Sequence, residues 1–202
     1  MNRRAVSKEE TRRLILNATR KLLAKKGGED CTLKDIAIEA GTSPASIVVH
    51  FKSRTSLLEE ALYIDIENTL SKLRDSLPEN VSLRERLMHM PNGFFSFYSK
   101  KRHLYKSLLR STIFEPQNET PYMTKQSEKY VQYLLSIIDE EKRKGIVRED
   151  IDSRIAAASL FSLYLGMLVT LFRTPELSVK MLTQIYASMV DQYLRGILIT
   201  ER

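Results

Sequence analysis

At 202 residues the chain is long enough to bury a core without disulfides or metals, and 32 Lys and Arg against 25 Asp and Glu leave it at a formal +7. Its single cysteine, Cys31, excludes an internal disulfide and reads as structural, and seven Gly with six Pro give no sign of disorder. The basic opening MNRRAVSKEETRR lacks the apolar run of a secretory signal, so a cytoplasmic location is expected.

Apolar residues recur at helical spacing along most of the chain and no long alternating pattern appears, which predicts an all-α fold of about nine helices. The first spans Ser7 to Lys26, with Leu14, Ile15, Ala18, Leu22 and Leu23 on one face, a basic face opposite, and Gly27-Gly28 as its stop. Thr32 caps a short helix carrying Leu33, Ile36, Ala37 and Ala40, Gly41 supplies a turn, and Ser43-Pro44 reads as cap and first residue of another two-turn helix ending near Phe51. A fourth helix starts close to Arg54, runs to about Ser76 and is stopped by Pro78. Further helices are predicted over Leu83–Tyr98, Arg102–Phe114, Pro121–Lys144, Asp152–Arg173 and Pro175–Leu198, with Pro91-Asn92-Gly93 either kinking or splitting the first of these.

The charge is local. Residues 1–58 hold twelve Lys and Arg against six acids, leaving twenty against nineteen for the rest. A small basic segment joined to a neutral, larger one fits a head that binds a polyanion, although a solvated helix face has the same composition. The two short helices favour the head. With Ile47 and Phe51 turned inward, the second leaves Pro44, Ala45, Ser46, Val48, Val49 and His50 as a small, uncharged outer surface, and Gly41 permits the bend that presents it. This is a helix-turn-helix unit, whose second helix enters the DNA major groove.

The stretches TRRLILNATRKLLAKKG and CTLKDIAIEAGTSPASIVVHFKSRTSLLEEAL, with the nine-helix plan, resemble the tetracycline-repressor-like (TetR) family of bacterial transcription regulators over roughly residues 11–62. The resemblance implies a DNA-binding head at residues 1–53, a ligand-sensing and dimerisation body at 54–202, and no cofactor. It also implies that Lys34 reaches a base edge, that Pro44 and Ala45 touch bases or thymine methyls, and that Ser46, His50 and Arg54 contact phosphates. Thr32, Ser43, Val48, Val49 and Lys52 complete the expected DNA-binding surface. Val48 departs from the pattern, since the family usually has there a Tyr that reaches a phosphate. Arg3 and Arg4 read as a solvated end rather than a minor-groove arm.

An enzyme is the rival class. His50, His89 and His103 are far apart, without a paired carboxylate or cysteine at ligand spacing, and there is no Gly-rich phosphate loop or nucleophile elbow, so no catalytic or metal residue is assigned. A DNA-binding protein without a sensor is the other alternative, and it would not need so large a body. Phe94, Phe95, Tyr98, Tyr105, Phe114, Tyr130 and Tyr133 are the candidate pocket for a small hydrophobic or amphipathic effector. The uncharged run Ile155 to Phe172 approaches the length of a membrane span, but Ser159, Ser162, Tyr164 and Thr170 inside it, and Arg154 and Arg173 at both ends, argue against a membrane partner. A helix apolar all round is instead buried by its own domain and by a second subunit. Ala157, Leu160, Phe161, Tyr164 and Leu168, with Leu182, Ile185, Met189 and Tyr193 of the last helix, are therefore expected to form a homodimer that reads a palindromic operator. The expected function is repression relieved by the effector.

Overall fold

The computed structural model describes residues 3–27 and 30–199, with side chains from Ser7 onward. Gly28 and the Arg3 and Arg4 side chains, singled out above, lie outside the described residues. Nine α-helices occur among those described: α1 (Arg3–Lys26), α2 (Leu33–Ala40), α3 (Pro44–Phe51), α4 (Arg54–Asp75), α5 (Leu83–Ser99), α6 (Arg102–Phe114), α7 (Pro121–Arg143), α8 (Ser153–Arg173) and α9 (Val179–Ile197). They group into two compact units: residues 1–67 with 101–125, and residues 68–100 with 126–202.

In the first unit α1 lays Ile15, Leu22 and Leu23 against a core that includes Ile36, Ile47, Phe51 and Leu57, all buried. The helix begins earlier than its apolar pattern predicted and ends where Gly27 takes a positive φ of 81° and donates to the Leu23 carbonyl. Lys21 pairs with Glu39 at 2.5 Å and Lys26 with Asp35 at 3.5 Å, holding α1 to α2.

In the second unit α5 packs on α8 and α9. Pro91 neither splits nor ends α5. It sits buried inside a continuous helix, and Gly93 two residues on leaves space that the Leu73 side chain of α4 occupies. Arg84 grips Asp191 of α9 at 2.5 and 3.0 Å, and Arg86 bonds Glu140 and Glu141 of α7 at 2.8 and 3.1 Å. Two caps set starts that the apolar pattern alone misplaces or leaves bare. Ser82 and Glu85 form a reciprocal capping box on α5, and Ser178 accepts from the Met181 N–H, so α9 starts at Val179 rather than at Pro175.

Candidate nucleic-acid interface

The turn that presents α3 is built from caps. The Thr32 hydroxyl accepts the Asp35 N–H at 3.1 Å while the Asp35 carboxylate accepts from the Thr32 N–H and hydroxyl, and those Thr32 bonds hold the Asp35 carboxyl below its usual range. Gly41 closes α2 in the left-handed region at φ 65°, ψ 35°, and Thr42 donates to the Ala37 carbonyl at 2.9 Å. Ser43 then accepts the Ser46 N–H at 3.1 Å with Pro44 as first helical residue, so α3 begins at once after the turn. Ile47 and Phe51 are buried, whereas Pro44, Ala45, Val48 and Val49 are exposed.

Arg12 of α1 fastens the far end of α3. Its guanidinium donates to the His50 carbonyl at 2.6 Å, pairs with Glu60 of α4 and lies 4.3 Å from the Phe51 ring centroid. Immediately beyond, Lys52 has φ 63°, ψ −51°, and the Ser53 N–H donates to the Phe51 carbonyl at 2.7 Å. That is a γ-turn of the strained, positive-φ kind, at the point where the chain leaves the presented helix.

The positive excess of the head is partly scaffold. Arg12, Lys21 and Lys26 are engaged as described, Arg20 Nε donates to the Ala61 carbonyl at 2.9 Å, and Arg54 Nε donates to the Cys31 carbonyl at 3.1 Å. Lys34 and Lys52 are exposed and have no ion-pair partner among the described residues. Of the other expected DNA-contacting residues, Thr32 and Ser43 spend their hydroxyls as caps, Ser46 is half-buried, and half-buried His50 keeps its Nδ1 buried without a partner. Cys31 is fully buried, and burial pushes its thiol above the usual range, which fits the structural role expected of it.

The segment 115–120 between α6 and α7, with the start of α7, clasps the base of α4. Ser53 Oγ donates to Glu119 Oε2 at 2.7 Å, Ser56 Oγ donates to the Glu119 carbonyl at 3.3 Å, and the Met123 N–H at the start of α7 donates to Glu59 Oε1 at 2.7 Å. Glu59 thus caps α7 from another helix. It is fully buried with Oε2 unpartnered, and desolvation, opposed by the α7 N–H donors, raises its carboxyl to about 7. The folded chain therefore keeps a proton between about pH 4.5 and 7 that the unfolded chain has released, so stability falls as pH rises through that window. Calorimetry at pH 5 and 8 is expected to show this loss, of order 2–3 kcal/mol for a shift of this size, and Glu59→Gln is expected to flatten it. An unchanged slope in the variant contradicts the assignment.

The expected effector residues are divided between the two units. In the second unit Phe94 stacks on Tyr98 at 5.8 Å, Phe95 meets Tyr164 at 5.7 Å and Tyr186 at 5.5 Å, and Tyr130 meets Tyr164 at 5.6 Å and Tyr133 at 6.3 Å. Burial raises the Tyr130 and Tyr164 hydroxyls well above their usual range, so these groups stay neutral. Tyr105 belongs to the other unit, where its hydroxyl donates to Asp65 at 3.3 Å. Phe114 is 79 % exposed at the end of α6, which removes it from any enclosed pocket. Sequence reasoning missed a cleft of about 400 Å³ lined by Leu77, Pro78, Val81, Met88, Asn92 and Ala187, because no run of aromatics marks it.

The residues expected at a dimer face divide by burial. Ala157, Leu160, Tyr164, Leu168 and Leu182 are buried in the chain's own fold, which corrects the expectation that they lie at a surface. Phe161 and Tyr193 are half-buried, Phe161 against the Tyr130 ring and Tyr193 donating to the Ala156 carbonyl. Ile185 and Met189 do face outward, as do Met181 on α9 and Ile155, Ala158, Ser162 and Gly166 on α8.

A capped helix-turn-helix that presents an outward, uncharged α3 on an otherwise helical chain defines a helix-turn-helix DNA-binding regulatory protein. The model of the bacterial regulatory proteins, tetR family, matches residues 15–61, the segment containing α2, α3 and the start of α4. Residues 15–61 thus carry the DNA-binding segment of this family, and most of the chain is similar to transcriptional regulators. It is 21 % identical to the HTH-type transcriptional regulator UidR of Escherichia coli over 79 % of this chain and 81 % of that one. It is 27 % identical to the HTH-type transcriptional activator FasR of Mycolicibacterium smegmatis over 57 % of this chain and 54 % of the other. The fold matches the crystal structure of the transcriptional regulator FadR from Bacillus subtilis in complex with stearoyl-CoA, with a TM-score of 0.70 at 18 % identity over 91 % of this chain and 98 % of that one.

Proposed function

We propose that the chain is a cytoplasmic, homodimeric, non-enzymatic repressor that binds a palindromic operator through residues 1–53 and is released when a small hydrophobic or amphipathic effector binds the body at 54–202. The observation that carries the DNA-reading part is α3 itself, held by Ile47, Phe51 and Arg12 and turned outward with no charged group on its exposed face. Lys34 sits exposed on the first turn of α2 and supplies the hydrogen-bond donor that α3 lacks, while exposed Lys52 offers charge to a phosphate.

Lys34→Ala is expected to relax base preference at one position of each half-site, at about 1–3 kcal/mol per lost contact, whereas Lys52→Ala weakens all sequences alike and lowers the salt dependence. Binding-site selection with both variants separates the two roles. Unchanged preferences in the Lys34 variant contradict the assignment.

The effector reading is supported by the buried aromatic cluster around Phe95 and Tyr130, which holds neutral hydroxyls and suits an apolar body with a hydrogen-bonding group. FadR, whose structure carries stearoyl-CoA, is a relative in fold that binds an amphipathic molecule. Thermal-shift screening against lipophilic metabolites finds such a ligand through its stabilisation of the folded chain. Linkage then requires that operator DNA weaken that ligand by the factor by which the ligand weakens the operator. A ligand bound equally by free and DNA-bound protein rules out the sensor.

A further inference from the structure

The exposed face of α3 has an unusual chemistry for a surface that reads bases. The side chains that most specifically hydrogen-bond base edges are Arg and Lys for guanine and Asn and Gln for adenine, each making paired bonds, and Asp and Glu, which accept from the cytosine amino group. None of these occurs in Pro44-Ala-Ser-Ile-Val-Val-His-Phe51. Of the polar groups at hand, Ser43 is spent as the cap, Ser46 is half-buried, and half-buried His50 sits beside the C-terminal end that Arg12 holds. The outward atoms are instead hydrocarbon, with Val49 75 % exposed and Val48 47 % exposed.

Val49 stands largely outside the protein's own core and Val48 about half outside it. A β-branched residue is a weak helix former, and two in succession on an eight-residue helix cost propensity that such exposed side chains recover only in part by packing. An isopropyl group does have one partner on the floor of the major groove. The C5 methyl of thymine is the only apolar group a base edge presents there.

We infer that α3 reads its operator through pyrimidine C5 methyl groups, with Val49 and Val48 seated on thymine methyls and Lys34 supplying the hydrogen-bonded base contact. This rests on the DNA-binding reading above and specifies its chemistry. Because the contact is made to the methyl carbon and not to the O4 acceptor, 5-methylcytosine partly replaces thymine at these positions, and uracil does not.

The test uses the full chain and the duplex obtained from it by binding-site selection. Each thymine of the half-sites is replaced in turn, symmetrically, by deoxyuridine, which removes the methyl and leaves every hydrogen-bonding group in place. At one or two positions per half-site the substitution is expected to weaken binding by about 5- to 20-fold, the value for two buried methyls lost from one dimer site. At those positions a 5-methylcytosine·guanine pair is expected to bind more tightly than the unmethylated cytosine·guanine pair. The Val49→Ala protein, altered at a side chain that is 75 % exposed, is expected to bind thymine and uracil duplexes with more nearly equal affinity, a coupling that a merely structural valine does not produce. Uniform tolerance of deoxyuridine by a protein that still selects a sequence overturns the methyl reading, as does indifference to cytosine methylation. If no sequence is selected at all, the failure lies with the DNA-binding reading instead.

Discussion

An Ile185→Asp, Met189→Asp protein is expected to sediment as a monomer at micromolar concentration and to bind the operator about 10²- to 10⁴-fold more weakly, because two linked heads gain avidity that a single head lacks. Both side chains are exposed on α9 in the protomer, at 45 % and 36 %, so the substitutions leave its own core intact. Along the neighbouring face of α8 the outward positions are Ile155, Ala158, Ser162 and Gly166, and beyond the adjoining residues and backbone of α8 nothing lies within 4 Å of where a Gly166 Cβ would be. Small side chains on one helix beside methionine and isoleucine on the next make a surface that a second copy can approach closely, and two-fold symmetry would place four carboxylates from the variant pair in that interface. Sedimentation equilibrium with circular dichroism separates loss of assembly from loss of fold. A variant that remains dimeric, or a stable wild-type monomer that binds the operator specifically, contradicts the dimer.

Arg12→Ala is expected to lower stability by about 2–3 kcal/mol, a fall in Tm of roughly 5–10 °C for a chain of this size, and to weaken DNA binding for every sequence. One guanidinium makes all three contacts: it donates to the His50 carbonyl, pairs with Glu60 and covers the Phe51 ring. Its removal leaves the half-buried Glu60 carboxylate without that partner and frees the end of α3 where strained Lys52 begins the turn. Arg12→Lys keeps the charge but cannot fork between two acceptors, and is expected to fall between Ala and wild type. Scanning calorimetry and salt-matched binding titrations read the two effects, and an unchanged Tm in the Ala variant refutes the role.

The parts of the fold legible in the sequence are those set by neighbours in the chain. Thr32 with Asp35, Gly41, and Ser43 with Pro44 act within three or four residues of one another, and each cap falls where its pattern predicts. Contacts between distant segments left no such mark. Arg12 meets His50 and Glu60 from 38 and 48 residues away, and Glu59, an ordinary acid in an amphipathic helix by pattern, is buried because α7 begins against it. The direction of α8 is hidden in the sequence for a different reason. From Ile155 to Phe172 no charged residue marks the outer side, so helical periodicity locates a stripe but not its direction, and Leu160, Tyr164 and Leu168 on that stripe fill the chain's own core. Phe114 shows the limit of aromatic density as a pocket signal, since its place on the last turn of α6 leaves it in the open.

The most direct measurement is a selection of duplexes from a random pool by the purified chain, followed by sequencing of those retained. A paired helix-turn-helix predicts a palindrome whose half-sites are centred about one helical turn, or a multiple of it, apart, near 10 base pairs per turn. Thymine is expected at the positions facing Val48 and Val49, and one position in each half-site is expected to lose its preference when Lys34 is replaced by Ala. Retained duplexes that share no motif, or a motif that survives deletion of α3's exposed side chains to Ala, would contradict the assignment of α3 as the element that reads DNA.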